Sequence, residues 1–177
     1  AGTTTVTVAV SGTTDTKDES DTETFTIDLT NVTSSVSSAV TIATAQGTGT
    51  ITDDDASPTI SINDVTTTNE SDTAVFTISL SGSSGQTITV DYAINDATAT
   101  VLGLDYSGTL VDDDSTTGDG TATFTAGDTE VTVTVTTNED AADEVNETFT
   151  IDLTNAANAT ISGAQGTGTI TDDDVTP

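Results

Sequence analysis

The sequence contains no cysteine, histidine, methionine or tryptophan, and only two prolines. Without cysteine there is no disulfide framework, so stability must come from packed cores, sheet ladders and any bound metal. Zinc is disfavoured as that metal, because neither of its usual ligands, Cys and His, is present. The residues that dominate instead are threonine, valine, isoleucine and alanine. The β-branched members of this set favour strands, because their stiff rotamers suit a pleated surface.

Positive charge is also nearly absent. The chain has 30 acidic residues against one basic residue, Lys17, and a net charge of −29. Phosphate contacts need Lys or Arg, so a nucleic-acid partner is not expected. The missing basic residues argue against docking on an anionic membrane, and no apolar run of about 18 residues predicts membrane insertion. Cations are the expected partners, since bound metal would relieve the self-repulsion of the chain.

Two stretches of the sequence recur without change. ETFTIDLTN occupies residues 23–31 and 147–155, and AQGTGTITDDD occupies residues 45–55 and 164–174, which gives offsets of 124 (147 − 23) and 119 (164 − 45). A repeat of about 120 residues is the size of one domain. We therefore predict that residues 1–55, the N-terminal copy, are the C-terminal part of one module. Residues 56–177, the C-terminal copy, are predicted to be a complete module.

Period-2 alternation of apolar and polar residues predicts the strands. In the C-terminal copy these are residues 59–62, 74–80, 87–94, a weaker pair at 97–101 and 109–111, then 121–124, 130–136, 147–153 and 166–171. The N-terminal copy adds residues 4–10, 23–29 and 47–52. No window shows a helical stripe, so the prediction is an all-β antiparallel sandwich or barrel.

The same alternation predicts the core. In ETFTIDLTN the apolar residues share one strand face, and the strand at 74–80 follows the same pattern. The predicted core residues are Phe25, Ile27, Leu29, Phe76, Ile78, Leu80, Phe149, Ile151 and Leu153.

Acidic residues gather in predicted loops and at the end of each copy. Because a sandwich brings alternate loops together at each end, groups distant in sequence can meet at one pole. A carboxylate cluster of this kind suits Ca²⁺, which takes six to eight oxygen ligands in irregular geometry. The acidic groups of the C-terminal copy are Glu70, Asp105, Glu139, Asp140, Asp143, Glu144, Glu147, Asp172, Asp173 and Asp174.

Any one acidic loop, viewed alone, is more often a solvated turn than a metal site. The triple-Asp ending is different, because it closes both copies and three adjacent like charges repel without a cation. Strand alternation predicts that Asp172 and Asp174 face one side and Asp173 the other. The same alternation of faces is predicted at the junction between the copies, for Asp53, Asp54 and Asp55. The run at residues 112–114 has no counterpart in the N-terminal copy and is predicted to be a solvated loop.

The order of these motifs resembles the Calx-beta module, which is found in sodium–calcium exchangers, integrin β4 and large bacterial surface proteins. The segments that carry the resemblance are GQTITVDYAINDATAT, GLDYS, FTAGDTEVTVTV, the acidic loop before ETFTIDLTN, and GTGTITDDD. It covers residues 58–174, and residues 1–55 resemble the last three strands of that family. It implies an immunoglobulin-like sandwich of about seven strands with calcium at one pole.

The ligands implied by the resemblance are Glu70, Asp105, Asp140, Glu144, Asp172, Asp173 and Asp174, with Glu139 and Glu147 as additional ligands. In the N-terminal copy they are Asp15, Glu19, Glu23, Asp53, Asp54 and Asp55, where Glu19 is offset by about one residue of register.

The predicted function is that of a calcium-binding structural or adhesive repeat in a long extracellular bacterial surface protein or fibre. Its partners would be calcium ions, neighbouring copies of the module and a host surface or matrix. No enzymatic activity is predicted, because the residue inventory leaves only a carboxylate pair for chemistry. A carbohydrate- or protein-binding module is the alternative, with only Tyr92 and Tyr106 to stack on a sugar. A fibre subunit completed by strand complementation is a further alternative.

Overall fold

The structure is a computed structural model that describes residues 5–33, 40–100, 104–108 and 119–175. Every regular secondary-structure element in these ranges is a β-strand. Among the described residues there is no helix long and apolar enough to cross a membrane. The predicted loop at 112–114 lies outside the described residues.

The N-terminal copy contributes one two-stranded sheet. Its strands are β1 (Thr22–Asp28) and β2 (Gln46–Thr52), and they pair antiparallel from Thr22 opposite Thr52 to Asp28 opposite Gln46. Residues 5–10 form no strand, so the strand predicted at 4–10 is wrong over its described part.

The C-terminal copy forms a sandwich of two five-stranded sheets. Its strands are β3 (Thr59–Ile62), β4 (Val65–Thr66), β5 (Thr73–Leu80), β6 (Ile88–Asp96), β7 (Tyr106–Gly108), β8 (Asp119–Phe124), β9 (Glu130–Thr137), β10 (Glu147–Ala157), β11 (Thr160–Gly163) and β12 (Gln165–Ile170). The strand orders are β4-β12-β10-β6-β8 in one sheet and β11-β3-β5-β9-β7 in the other. One core cluster takes side chains from both sheets, which places it between them.

The first and last strands of this sandwich each divide between the two sheets. β3 pairs in parallel with β11 in one sheet, and β4 pairs in parallel with β12 in the other. The described strands of the C-terminal copy therefore number ten, where about seven were predicted. Joining β3 to β4 and β11 to β12 leaves eight, one of which is the short β7. The all-β sandwich prediction is confirmed.

Most of the segments predicted from alternation correspond to observed strands. The segments predicted at 59–62, 74–80, 130–136 and 147–153 all fall within observed strands. Residues 97–100 form no strand, and 109–111 lie outside the described residues. β7 was missed, because three residues are too few to show a period.

Aromatic packing fixes the centre of the core. The Phe149 ring lies 5.8 Å from Phe76 in an edge-to-face arrangement and 4.7 Å from Tyr106 in a stacked one, measured between centroids. Gly168 lies opposite Phe149 on β12, and a Cβ on Gly168 would collide with the Phe149 ring. The glycine therefore leaves the space that the ring occupies.

The core prediction holds in the C-terminal copy only. There all six predicted core residues, Phe76, Ile78, Leu80, Phe149, Ile151 and Leu153, are buried. In the N-terminal copy Phe25 and Ile27 are half-buried, and Leu29 is 55% exposed, so its assignment to the core is wrong. The physical reason is that no second sheet covers β1 and β2 among the described residues.

Candidate metal centre

The entry and exit strands of the C-terminal copy bring its acidic residues together at one pole. β4 and β12 run parallel, and their pairing continues beyond both strands through Thr67 and Thr171. Thr171 N donates to Thr67 Oγ1 at 3.0 Å, and Thr171 Oγ1 donates to Thr67 O at 2.7 Å. The chain after β4 and the chain after β12 therefore leave side by side. This places Glu70 next to the triple-Asp segment at residues 172–174.

Glu70, Asp140 and Asp174 form a tight acidic cluster. One carboxylate oxygen from each lies within 4.8 Å of the others. Glu70 is buried, with 7% of its surface exposed, and its Oε2 accepts a hydrogen bond from Asp140 N at 3.4 Å. Asp174 Oδ2 is buried and has no hydrogen-bond partner. A buried carboxylate oxygen without a donor is costly, and a cation is the partner that would satisfy it.

A small cleft continues this cluster towards the sheet. Glu70 and Asp140 line it together with Asp105, Glu144 and Glu147. Asp105 is held in place by backbone contacts, since Thr100 N donates to Asp105 Oδ2 at 2.7 Å and Asn138 N donates to Asp105 O at 3.0 Å. Six of the predicted ligands therefore meet at one pole: Glu70, Asp105, Asp140, Glu144, Glu147 and Asp174.

The carboxylates at this pole are held in an environment that disfavours their charge. Burial, followed by repulsion from Asp105 and Glu144, raises the pKa of Glu147 from 4.5 to about 7. Burial also raises the pKa of Glu70, although the hydrogen bond from Asp140 N opposes the rise. The pKa of Asp174 is raised by desolvation and by its acidic neighbours. A bound divalent cation would reverse this balance, because it favours the ionised form of every carboxylate around it.

Exposure alternates along the triple-Asp segment, since Asp172 and Asp174 are half-buried and Asp173 is exposed. Asp172 Oδ1 accepts a hydrogen bond from Glu144 N at 3.1 Å, and Asp174 belongs to the tight cluster. Asp173 is exposed, and its Oδ1 accepts a hydrogen bond from Glu70 N at 3.3 Å. Asp173 thus positions the backbone of Glu70, while its two neighbours face the acidic loop.

Some residues at the pole do not match the predicted set. Glu139 is exposed and lies neither in the tight cluster nor in the cleft, so its role as a ligand stays a prediction. Asn138 lines the cleft and was not singled out from the sequence. Its position directly before Glu139 and Asp140 was the available signal. Asp72 was also missed; its Oδ2 accepts bonds from Thr68 N at 2.8 Å and Thr68 Oγ1 at 2.6 Å and closes the loop that carries Glu70.

The N-terminal copy repeats part of this pole. One groove there is lined by all six acidic residues predicted for this copy, Asp15, Glu19, Glu23, Asp53, Asp54 and Asp55. Desolvation, together with repulsion from Asp53, Asp54 and Asp15, raises the pKa of Asp55. The described part of this copy has no counterparts of Glu70 and Asp105.

Backbone hydrogen bonds fix how the two acidic loops correspond. Lys17 N donates to Asp15 Oδ1 at 2.9 Å, as Ala142 N donates to Asp140 Oδ1 at 2.7 Å. Glu19 N donates to Asp53 Oδ2 at 3.3 Å, which matches the bond from Glu144 N to Asp172. Glu19 therefore corresponds to Glu144 at an offset of 125 residues (144 − 19), and the uncertain register is resolved.

Neither tyrosine is available for stacking on a sugar. Tyr92 is 6% exposed and Tyr106 is 2% exposed, so the sequence-based suggestion of exposed rings is wrong. The Tyr106 hydroxyl donates to Asp96 Oδ1 at 2.6 Å, and burial raises its pKa. Both rings belong to the core, and the carbohydrate-binding alternative loses its support.

The protein is thus an all-β sandwich with carboxylates clustered at one end. A model of the Calx-beta domain matches residues 1–55 and 53–174. The chain belongs to the Calx-beta domain family, as the resemblance implied.

Similar solved structures agree with this fold. The calcium binding domain CBD12 of CALX1.1 is 22% identical with a TM-score of 0.55, over 65% of this chain and 46% of that one. CBD12 from CALX1.2 is 22% identical with a TM-score of 0.56, over 66% and 46%. The apo-form Calx CBD1 domain is 20% identical with a TM-score of 0.50, over 66% and 98%. The chain thus spans less than half the length of the first two, and the comparison with curated proteins found no match.

Proposed function

We propose that the C-terminal copy binds Ca²⁺ at its acidic pole, with Glu70, Asp140 and Asp174 as the first ligands. The observation that carries this proposal is the cluster of three carboxylate oxygens within 4.8 Å, one residue of which has a buried oxygen without a donor. An all-oxygen ligand set without nitrogen or sulfur suits a hard cation. The similar structure of CBD12 of CALX1.1 is that of a calcium binding domain, which supports the same choice of metal.

The remaining acidic residues would complete the coordination. Asp105, Glu144 and Glu147 line the adjoining cleft. Asp172 and Asp173 hold the loops through backbone hydrogen bonds and can also present their second oxygens. Magnesium fits less well, because it requires a regular octahedron and gives up its water reluctantly.

Calorimetry of the full chain tests calcium binding. At a free Ca²⁺ concentration 100-fold above Kd, binding to the folded state adds about 2.7 kcal/mol to the free energy of unfolding. For a domain of about 120 residues this corresponds to a rise in Tm of about 10 °C over the same protein in chelator. The substitution Glu70→Gln should remove most of that rise, whereas Glu130→Gln, which removes an exposed charge on β9, should keep it. A Tm that is the same in calcium and chelator contradicts the proposal.

At the level of the whole protein, we propose a structural or adhesive repeat of an extracellular bacterial surface protein or fibre, in which calcium stiffens the joints between modules. The support is compositional and geometric. The chain is acidic and free of cysteine, and an acidic groove lies beside the junction at residues 53–55. Millimolar extracellular calcium would fill weak sites of this kind. Antibody labelling of intact cells, compared with lysed cells, tests the location; labelling that requires lysis rejects it.

One observation favours strand complementation as a second candidate. β1 and β2 pair only with each other among the described residues, so each leaves an open edge. Val6, Val8 and Val10 in the same copy are 86%, 64% and 57% exposed. A strand from another chain could cover this surface by β-augmentation. Light scattering over a dilution series measures the mass of the chain in solution, and a constant monomer mass at high concentration rejects this candidate.

A further inference from the structure

The two copies meet through a polar contact that lies outside the calcium pole of the C-terminal copy. Asp18, in the acidic loop of the N-terminal copy, is 5% exposed and forms an isolated parallel bridge with Ser84 of the C-terminal copy. Its backbone oxygen accepts hydrogen bonds from Gly85 N at 2.7 Å and from Ser84 Oγ at 2.9 Å. Gln86 Nε2 donates to Glu19 O at 2.7 Å. Backbone and side chain together therefore hold this loop on the 84–86 segment, which consists of Ser84, Gly85 and Gln86.

The carboxylate of Asp18 is satisfied entirely by neutral donors of the C-terminal copy and the linker. Ser57 Oγ donates to its Oδ1 at 3.1 Å, and Gln86 Nε2 donates to its Oδ2 at 3.2 Å. Ser84 Oγ lies 3.0 Å from the same Oδ2, and its one hydrogen is shared between this atom and Asp18 O. This contact is specific to one geometry, because losing a donor leaves a buried carboxylate oxygen without its hydrogen bond. The contact thus defines one orientation of the two copies.

Gly85 allows the close approach in this contact. A Cβ on Gly85 would lie 3.1 Å from Glu19 Cγ and 3.5 Å from Asp18 O. Gly82, three residues earlier in the same loop, would meet nothing within 4 Å. The two glycines therefore offer a matched pair of positions for a larger side chain.

The acidic loop of the C-terminal copy contains a counterpart of Asp18. The register fixed by the backbone hydrogen bonds has an offset of 125, which makes Asp143 the counterpart of Asp18 (143 − 18). Asp143 is exposed, whereas Asp18 is buried by the copy that follows it. In the sequence, Asp174 is followed by Val-Thr-Pro where Asp55 is followed by Ala-Ser-Pro, so the hydroxyl at position 57 recurs at position 176.

We propose that Asp143 is the docking residue for the 84–86 segment of a following copy of this module. The partner surface is identified by its chemistry: a serine hydroxyl and a glutamine amide that donate to one carboxylate, and a glycine N–H that donates to the backbone oxygen of the same residue. The C-terminal copy then has two complementary ends, with the 84–86 segment at its entry and Asp143 at its exit. Such a head-to-tail contact is heterologous and repeats without closing, which suits a linear array. This inference goes beyond calcium binding, because the contact consists of hydrogen bonds between two copies. Asp143 lies in the loop that also carries Asp140 and Glu144, so the experiment compares the joint with and without calcium.

The test extends the full chain by a second C-terminal copy. Residues 59–177 are repeated directly after Pro177, so that the new junction reproduces the spacing of the observed one. The chain has no cysteine, so the substitution Thr123→Cys in both C-terminal copies gives two unique spin-label positions. Thr123 is exposed on β8. Pulsed electron paramagnetic resonance then measures the distribution of distances between the labels across the new junction.

The parent extended chain should give a narrow distribution. Asp143→Ala should broaden it about twofold, since a joint without a specific contact moves freely. Gly85→Val in the added copy should broaden it likewise, and Gly82→Val at the matched position should leave it narrow. A broad distribution in the parent, or one that Asp143→Ala leaves unchanged, overturns the proposal.

The observed junction provides the reference measurement. In the unextended chain, Thr24→Cys and Thr123→Cys report on the contact made by Asp18, and Asp18→Ala should broaden that distribution as Asp143→Ala does in the extended chain. All comparisons are made within one buffer, first in calcium and then in chelator. A chain that fails to bind calcium but keeps the difference between Gly85→Val and Gly82→Val rejects the proposed function and retains this inference.

Discussion

The carboxylate of Glu147 allows a test with one substitution, Glu147→Gln. This substitution should stabilise the calcium-free protein and reduce the stabilisation by calcium. Its pKa is about 7 in the folded state against an ordinary value of 4.5. Between these values the folded protein holds more protons than the unfolded chain, so the free energy of unfolding falls as pH rises through this window. Above about pH 7 the glutamate is ionised in both states, and the calcium-free protein bears the full cost of the buried charge.

The magnitude follows from the size of the rise. At about 1.4 kcal/mol per pKa unit, a rise from 4.5 to about 7 corresponds to an upper bound of about 3 kcal/mol. Glu147 is only half-buried, so solvent screening reduces the expected value to about 1–2 kcal/mol. Glu147→Gln removes the charge but keeps the shape, and should therefore raise the Tm of the calcium-free protein at pH 8 by about 4–8 °C.

The same substitution should act in the opposite direction on calcium. It removes a carboxylate from the cleft shared with Asp105 and Glu144, so the increase in Tm on adding Ca²⁺ should be smaller than in the parent. The assay is scanning calorimetry at pH 5, 6.5 and 8, in chelator and in calcium, with Glu130→Gln as the exposed control on β9. The reasoning is refuted if the chelated parent has the same Tm at pH 5 and pH 8, or if Glu147→Gln lowers the Tm in chelator at pH 8.

Two further predictions concern the core beneath the pole. Gly168→Ala should destabilise the C-terminal copy by about 1–3 kcal/mol in urea unfolding, because the added Cβ would collide with the Phe149 ring. Gly82→Ala, in the same copy and with nothing within 4 Å of its Cβ, is the control, and equal effects of the two would contradict the packing argument. Tyr106→Phe should cost about 1 kcal/mol, because it leaves Asp96 without its 2.6 Å hydrogen bond, and should not change the calcium-induced rise in Tm. A loss of that rise would instead place the hydroxyl in the calcium site.

The sequence predicted what depends on alternation and missed what depends on tertiary contact. The strand at ETFTIDLTN and its buried Phe149 follow from a period of two that any sheet would impose. The division of the first strand into β3 and β4 does not follow from a period of two, because the pattern of its residues is compatible with either sheet. Only the pairing with β11 and β12 decides which part joins which sheet. β7 depends on contact with β9 and leaves no pattern in three residues.

The candidate site shows the same division. Asp140 and Asp174 stood out because acidic runs are visible in a sequence, and their meeting followed from the way a sandwich gathers its loops. Leu29 was assigned to the core because it repeats the pattern of Leu153, yet the sequence does not show whether a second sheet covers it. Asp18 was overlooked for the same reason. Its burial is created by Ser84 and the rest of the following copy, far away along the chain.

The parallel pairing of the entry and exit strands has a mechanical consequence. β3 lies beside β11, and β4 lies beside β12, both in parallel. A pulling force applied to the two ends of the C-terminal copy therefore acts along these strands in opposite directions. The hydrogen bonds between them are loaded together in shear rather than opened one after another. The resistance of such a module to tension is set by its unfolding rate. The acidic pole of each copy lies at the end where the force passes to the next module.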